Sequence, residues 1–85
     1  MDFGQALKHL KKGKRLARQG WNGKGMFIYY VEEDDVPARA EAIKGMFNFD
    51  LLPYSAYIAM KTAQNTIVPW LASQTDILAE DWVEV

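Results

Sequence analysis

The first apolar positions of the chain recur at helical spacing. They are Phe3, Ala6, Leu7 and Leu10. This i, i+3, i+4, i+7 pattern predicts an amphipathic helix through Gln5–Lys12, with Asp2 as its N-cap and Gly13 just after its last turn. We expect the apolar stripe to be buried.

Farther along, a run of β-branched and aromatic residues at Met26–Val31 and an alternating pattern at Trp82–Val85 are typical of strands. The predicted strands are Lys14–Gln19, Met26–Val31, Tyr54–Thr62, Thr66–Trp70 and Trp82–Val85. Gln64-Asn65 predicts a hairpin turn, and Pro69 indicates a strand end or a sheet edge.

Between these strands the patterns are weaker. Glu32–Asp35 reads as a solvated loop, Pro37–Phe47 as a short helix, and Phe49–Pro53 as a connector. Ser73 or Thr75 can cap a helical turn over Ile77–Ala79. The sum is an α+β fold: an N-terminal helix packed on a four- to five-stranded, mostly antiparallel sheet, with a short C-terminal helical turn.

The composition narrows the class of protein. Eighty-five residues fit one domain, here 1–85, and 49% of them are hydrophobic. Eleven aromatic residues are more than one small core easily buries, so we expect some to face a ligand or a partner subunit. No stretch is long and apolar enough to span a membrane, and the expected location is the cytoplasm.

Charge divides the chain into two parts. Residues 1–25 carry seven bases and one acid, whereas residues 26–85 carry ten acids and three bases. This asymmetry indicates an anion site near the N-terminus, complementary faces in a self-assembly, or simply a solvated basic helix face.

Few residues in the sequence indicate a catalytic site or a metal site. The chain has no cysteine, and its one histidine, His9, lies on the predicted helix among lysines. Glu80 and Asp81 are adjacent, so their carboxylates should diverge, and Glu32–Asp35 is a solvated run. We therefore expect no enzyme, no metal and no cofactor.

Two tryptophan-bearing segments are better candidates for a binding site. In Gly20–Gly25, Trp21 offers a stacking face, Asn22 a polar edge and Lys24 a phosphate partner. The alternative is a tight hairpin whose tryptophan fills the core. In Val68–Asp76, Trp70 precedes a helix start rich in hydroxyls, which is either an anion site or an ordinary capped turn.

These segments also carry a family resemblance. Arg18–Phe27 (RQGWNGKGMF), Tyr57–Thr62 (YIAMKT) and Val68–Trp82 (VPWLASQTDILAEDW) resemble a family of short phage and bacterial proteins that includes the second type of Thoeris anti-defence protein. Phe3–Lys8 and Lys11–Arg18 agree as well. Residues 32–52 are treated as a variable insert.

The resemblance implies a sponge, which binds a cyclic ADP-ribose isomer (glycocyclic ADP-ribose) without degrading it and so blocks the Thoeris effector in the host bacterial cytosol. It also implies a homotetramer built as a dimer of dimers, and cyclic dinucleotides as a second ligand class in some members. Neither a nucleic acid polymer nor a membrane is an expected partner. The alternative is a protein–protein interaction module of phage origin.

The resemblance further implies a set of ligand-binding residues. These are Trp21, Asn22, Gly23, Lys24, Tyr57, Met60, Trp70, Ser73, Gln74, Thr75 and Asp76, with Phe3, Arg18 and Lys61 as pocket-closing residues. In the expected roles, Trp21 or Trp70 stacks on adenine, Ser73 and Thr75 hold the pyrophosphate, and Asp76 takes ribose hydroxyls. Trp82 is expected in the core.

Overall fold

A computed structural model of the chain describes residues 1–21 and 24–85. Its helices and strands are α1 (Phe3–Lys11), β1 (Leu16–Arg18), β2 (Phe27–Val31), β3 (Asp34–Pro37), β4 (Leu51–Tyr54), β5 (Tyr57–Lys61), β6 (Ile67–Pro69), α2 (Gln74–Leu78) and β7 (Trp82–Glu84). Short 3₁₀ turns cover Gln19–Trp21, Glu41–Ile43 and Asn48–Asp50. The predicted α+β class is confirmed.

Five strands form one sheet in the order β6-β5-β2-β1-β7, and each neighbouring pair is antiparallel. Helix α1 packs on one face of this sheet. The core between them consists of fully buried side chains: Ala6, Leu10, Leu16, Ile28 and Trp82. The expected burial of Trp82 is therefore confirmed.

Helix α1 begins at Phe3, two residues before the predicted start at Gln5. Asp2 caps it, because its Oδ1 accepts the backbone N–H of Gln5 at 2.8 Å, and the Gln5 side chain accepts the N–H of Asp2 at 3.0 Å. This capping box satisfies two N–H groups that a bare helix end leaves unpaired. Gly13 follows the helix with φ of 88°, a conformation that favours glycine at this position.

The predicted helix over Pro37–Phe47 is wrong. Pro37 ends strand β3, and the rest of the segment up to Phe47 contains one 3₁₀ turn, Glu41–Ile43, and no α-helix. A helix this short depends on burying an apolar face, yet most side chains of the segment are exposed. Because the segment has no surface to pack against, the helix propensity of its alanines and glutamate is not enough to form an α-helix.

The segments Glu32–Asp35 and Phe49–Pro53 also differ from the prediction of loops. Asp34 and Asp35 start β3, and Leu51–Tyr54 forms β4, which pairs with it. Tyr54 consequently belongs to a different strand from Tyr57, and the predicted strand Tyr54–Thr62 is split. The acids are solvent-exposed as expected.

Strands β3 and β4 extend the β2–β5 pairing beyond the sheet. Val31 is opposite Tyr57 and Asp34 is opposite Tyr54, so one hairpin register runs through both ladders. We call residues 34–54 the arm. The arm pairs with no other strand among the described residues, and this helps to make the molecule elongated, with extents of 44 × 26 × 22 Å.

The remaining strand predictions are confirmed with shorter bounds. Asn65 turns the β5–β6 hairpin with φ of 62°, and the N–H of Thr62 donates to the carbonyl of Thr66 at 2.8 Å. Strand β6 is a sheet edge, which is where Pro69 is tolerated. Across the described ranges, 1–21 and 24–85, no helix has the length and apolarity that a membrane span requires.

Candidate functional site

Four aromatic side chains meet beside the N-terminal end of helix α1. Trp82 is at the centre, and the ring centroids of Phe3, Trp21 and Trp70 lie 5.5, 5.5 and 5.9 Å from its own. Trp21 and Trp70 approach Trp82 edge-on, at interplanar angles of 80° and 87°. We call these four residues the aromatic cluster.

Each member of the aromatic cluster comes from a different part of the chain. Phe3 opens α1, Trp21 ends the 3₁₀ turn after β1, Trp70 follows β6, and Trp82 starts β7. Edge-to-face contacts suit aromatic quadrupoles and stabilise such pairs by about 0.5–1.5 kcal/mol beyond area burial. Trp82 is fully buried, whereas the other three rings are only partly buried. The two tryptophan-bearing segments therefore meet, and each presents one tryptophan at the surface of the core.

An ion-pair network lies next to the cluster. Arg18 Nη1 donates to Asp76 Oδ1 at 3.0 Å, and Arg18 Nε donates to Asp81 Oδ1 at 2.9 Å. The three side chains are 20%, 17% and 32% exposed. One arginine thus joins strand β1 to helix α2 and to the segment before β7.

These contacts shift the ionisation of all three groups. Hydrogen bonds from Arg18 hold the pKa of Asp81 below its ordinary value, and partial burial opposes them. For Asp76 burial raises the pKa most, but the hydrogen bonds from Arg18 and Ser73 together outweigh it, so the net pKa is lowered. Hydrogen bonds from Asp81 and Asp76 raise the pKa of Arg18 in return. The network is fully ionised at neutral pH.

Helix α2 begins with a second reciprocal cap. Ser73 Oγ accepts the N–H of Asp76 at 3.0 Å, and Asp76 Oδ2 accepts the N–H of Ser73 at 3.2 Å. The carbonyl of Asp76 also accepts the indole N–H of Trp82 at 3.0 Å. Ser73 and Asp76 thus have their side chains committed within the fold, while Gln74 and Thr75 are exposed on the first turn.

The middle-strand residues divide between the two faces of the sheet. Met60 packs against the core under α1. Tyr57 and Lys61 are an odd number of positions away on the same strand, so they point to the opposite face. Lys61 Nζ donates to the carbonyl of Gly25 at 3.1 Å. Tyr57 lines a surface groove that also includes Trp70. Of these three residues, Tyr57 therefore lies near Trp70 of the aromatic cluster, Met60 lies in the core beside the cluster, and Lys61 lies near neither.

The glycine-rich segment is described only at its ends. Trp21 belongs to the aromatic cluster and Lys24 is exposed. Asn22 and Gly23, both predicted ligand contacts, lie outside the described residues. Gly25 has φ of 71°, as a tight return into β2 requires.

Two features of the site were not foreseen from the sequence. One is the pairing of Arg18 with Asp76 and Asp81, which lie more than 55 positions away in sequence, so that no local pattern indicates it. The other is a groove of about 370 Å³ along edge strand β6, lined by apolar residues and next to Trp70. In the part of the chain that the structure describes, no three histidine or carboxylate groups converge as metal ligands.

Comparisons with known proteins place these features in context. The model of the Thoeris anti-defense 2-like domain matches residues 1–85. A protein of Bacillus phage SP01 named Thoeris anti-defense 2 is 42% identical over 88 residues, an alignment that covers 96% of this chain and 91% of the phage protein.

Proposed function

This chain belongs to the Thoeris anti-defense 2-like family, and its membership supports an anti-defence role. We propose that it acts by binding a cyclic ADP-ribose-type immune signal and holding it intact. The observation that carries the proposal is the convergence of both tryptophan segments on one aromatic cluster. Trp21 and Trp70 retain accessible ring surface there, as a stacking site for adenine requires.

The polar groups of the site suit the rest of such a ligand. Gln74 and Thr75 are exposed in the turn that follows Trp70 and can donate to phosphate or ribose oxygens. Their positions are fixed, because the Ser73–Asp76 cap and Arg18 hold this turn against the sheet. Preorganised donors reduce the ordering cost of binding and favour a slow off-rate.

The hydrogen bonds of the turn support a different division of roles from the one that the resemblance implies. Asp76 Oδ1 is bonded to Arg18 and Oδ2 to the N–H of Ser73. We therefore assign Asp76 and Ser73 to shaping the site, and Thr75, Gln74 and the two outer tryptophans to ligand contact. Arg18 and Phe3 complete the wall from within the same chain.

Sequestration requires affinity and no bond-breaking groups. His9 is on α1, and the two carboxylates of the network beside the cluster, Asp76 and Asp81, are both hydrogen-bonded to Arg18 and held ionised. A carboxylate held ionised by a guanidinium is a poor general acid at neutral pH. The proposal also includes the homotetrameric assembly, cytoplasmic action and the second class of ligand, cyclic dinucleotides.

The binding experiment is calorimetric titration of the chain with the cyclic ADP-ribose isomer, together with its melting temperature. At a hundredfold excess over Kd, ligand should stabilise the native state by about 2.7 kcal/mol. Trp70→Ala should abolish most of that gain. Leu71→Ala is the matched control, because Leu71 is adjacent and 92% exposed; it should bind as the unmodified chain does. Equal binding by both variants would remove Trp70 from the site.

A protein–protein interaction module is the second candidate. It is favoured by the arm, where Met46 and Phe49 are 71% and 95% exposed. Phe47 is also 42% exposed, and three large exposed apolar residues within four positions are more typical of an interaction surface than a single one is. Lack of any thermal shift with the cyclic ADP-ribose isomer or a cyclic dinucleotide would favour this candidate over the sponge.

A further inference from the structure

Asp81 connects two parts of the site that carry different tryptophans. Its Oδ1 accepts the Nε–H of Arg18 at 2.9 Å, while Nη1 of the same arginine donates to Asp76 of helix α2. The carbonyl of Asp81 accepts the N–H of Gln19 at 3.2 Å, in the 3₁₀ turn that ends at Trp21. One acidic residue thus bonds to this turn through its backbone, and through its side chain to the guanidinium that holds α2.

The carboxylate of Asp81 also lies beside the 3₁₀ turn. A Cβ placed on Gly20 would be 3.9 Å from Asp81 Oδ2. The pKa of Asp81 is lowered first by the hydrogen bond from Arg18, and a hydrogen bond from the backbone of Gly20 lowers it further. Two consecutive residues of the turn, Gln19 and Gly20, are therefore held by Asp81.

The segment that carries Asp81 is itself anchored to the core. Its neighbour Trp82 is fully buried and pairs with Arg18 in the β1–β7 ladder. The backbone N–H of Trp82 also donates to the carbonyl of Met1 at 3.1 Å. Because these contacts fix the backbone next to Asp81, its side chain is a firm point of attachment for the turn.

Trp21 needs such an attachment. Its edge-on contact with Trp82, at 5.5 Å between ring centroids, restrains the ring on one side. Gly20 precedes it, and glycine leaves the backbone more conformational freedom than any other residue. A binding group that is already held in place loses less conformational entropy when a ligand is bound.

We propose that Asp81 is a positioning residue of the ligand site: it holds the turn Gln19–Trp21 against helix α2 and so sets the position of the Trp21 ring relative to Trp70. Its consequence for the ligand rests on the proposed function, whereas the placement of Trp21 does not. Changes within one binding site act mainly on the dissociation rate. Loss of the Asp81 carboxylate should therefore shorten the time for which ligand stays bound.

Fluorine NMR of the chain labelled with 5-fluorotryptophan tests the placement without ligand. The chain has three tryptophans, and Trp21→Phe assigns the resonance of Trp21. Asp81→Ala keeps the backbone bond to Gln19 and removes only the carboxylate; it should shift or broaden the Trp21 resonance more than that of Trp70. Asp81→Asn keeps an acceptor oxygen and should have a smaller effect on the same resonance.

Glu80→Ala is the matched control. Glu80 is adjacent to Asp81, exposed and of the same charge, and it belongs to no ion pair among the residues that the structure describes. This variant should leave all three resonances unchanged. A Trp21 resonance that is the same in Asp81→Ala and the parent chain, or that moves equally in Glu80→Ala, would overturn the proposal.

Stopped-flow binding of the cyclic ADP-ribose isomer tests the consequence. Asp81→Ala should raise koff by about tenfold and change kon by less than about threefold, with Glu80→Ala equal to the parent chain. A merely structural loss would lower the fraction of chain that binds and leave koff of the folded fraction unchanged.

Two outcomes of the kinetic test would overturn the positioning role. One is an unchanged koff in Asp81→Ala. The other is a raised koff with an unmoved Trp21 resonance, which would make Asp81 a direct ligand contact. Failure of the parent chain itself to bind the isomer would refute the sponge proposal alone, because the placement of Trp21 by Asp81 is measured without ligand.

Discussion

Trp82 is the residue whose replacement tests the architecture of the site most sharply. It is the buried centre of the aromatic cluster, and its indole N–H donates to the carbonyl of Asp76 at 3.0 Å. Trp82→Phe keeps an aromatic ring but removes this hydrogen bond and part of the packing. The indole therefore connects the core to helix α2 by one polar contact that phenylalanine cannot make.

The expected loss follows from two contributions. Loss of the indole hydrogen bond leaves the carbonyl of Asp76 with only the longer 3.4 Å hydrogen bond from the N–H of Ala79 and costs about 1 kcal/mol. The smaller ring leaves a cavity of roughly 40 Å³, and at about 24 cal/mol per Å³ this adds about 1 kcal/mol. A total near 2 kcal/mol lowers the melting temperature of a domain of this size by roughly 8–16 °C.

Urea unfolding followed by tryptophan fluorescence and by circular dichroism measures this loss, at one fixed protein concentration because association also stabilises the fold. Trp70→Phe is the matched control, since Trp70 is only partly buried and lies at the rim of the cluster. It should lose less than half as much as Trp82→Phe. Equal losses from the two variants would refute the central position of Trp82.

Three further predictions concern the ion-pair network, the cap of helix α2 and the proposed ligand contact in its first turn. The folded-state pKa values of Asp76 and Asp81 are lowered, so the stability that these carboxylates contribute is present above about pH 4, the ordinary carboxyl range, and is lost as the pH falls below it. Arg18→Gln should therefore flatten this acid-side decline in the free energy of unfolding, measured with urea between pH 7 and 3. An unchanged slope would contradict the network. Ser73→Ala should cost about 1 kcal/mol of unfolding free energy through the lost cap, with Ser73→Thr close to the parent protein. Thr75→Ala should weaken signal binding by about tenfold, or about 1.4 kcal/mol, with the melting temperature of the free chain unchanged; unaltered calorimetric affinity would exclude Thr75 as a contact.

The elements that form the core were predictable from the sequence, because their hydrophobic patterns are local and strong. The stripe through Ala6 and Leu10 follows the helical period, and every residue of Phe27–Val31 is β-branched or aromatic. Burial of these residues agrees with their local preference, so the predicted elements differ from the observed ones mainly by one or two residues at their ends. Helix and strand ends fray and are defined by caps rather than by periodicity.

The arm was not predictable in the same way. Pro37–Phe47 has helix-forming residues, and neither Asp34-Asp35 nor Pro53 favours a strand. What places these residues in a ladder is the register continued from β2 and β5, a pairing between positions distant in sequence. No pattern within a short window records such a pairing.

The site shows the same division. Glycines, hydroxyls and indoles that lie close in sequence were enough to make Trp21 and Trp70 candidate binding residues. Their meeting at Trp82, and the use of Arg18 to hold Asp76, depend on how β1, α2 and β7 lie together. Residue types indicated the chemistry, and tertiary packing decided which polar groups remain free for a ligand.

The most direct test of the sponge mechanism is a release assay. The chain is saturated with the cyclic ADP-ribose isomer, freed of unbound ligand by gel filtration and heat-denatured, and the released compound is identified by mass spectrometry. We predict close to one intact molecule recovered for every one bound, with the same yield after a long incubation. Recovery of a hydrolysed or ring-opened product that accumulates with incubation time would contradict sequestration and indicate an enzyme.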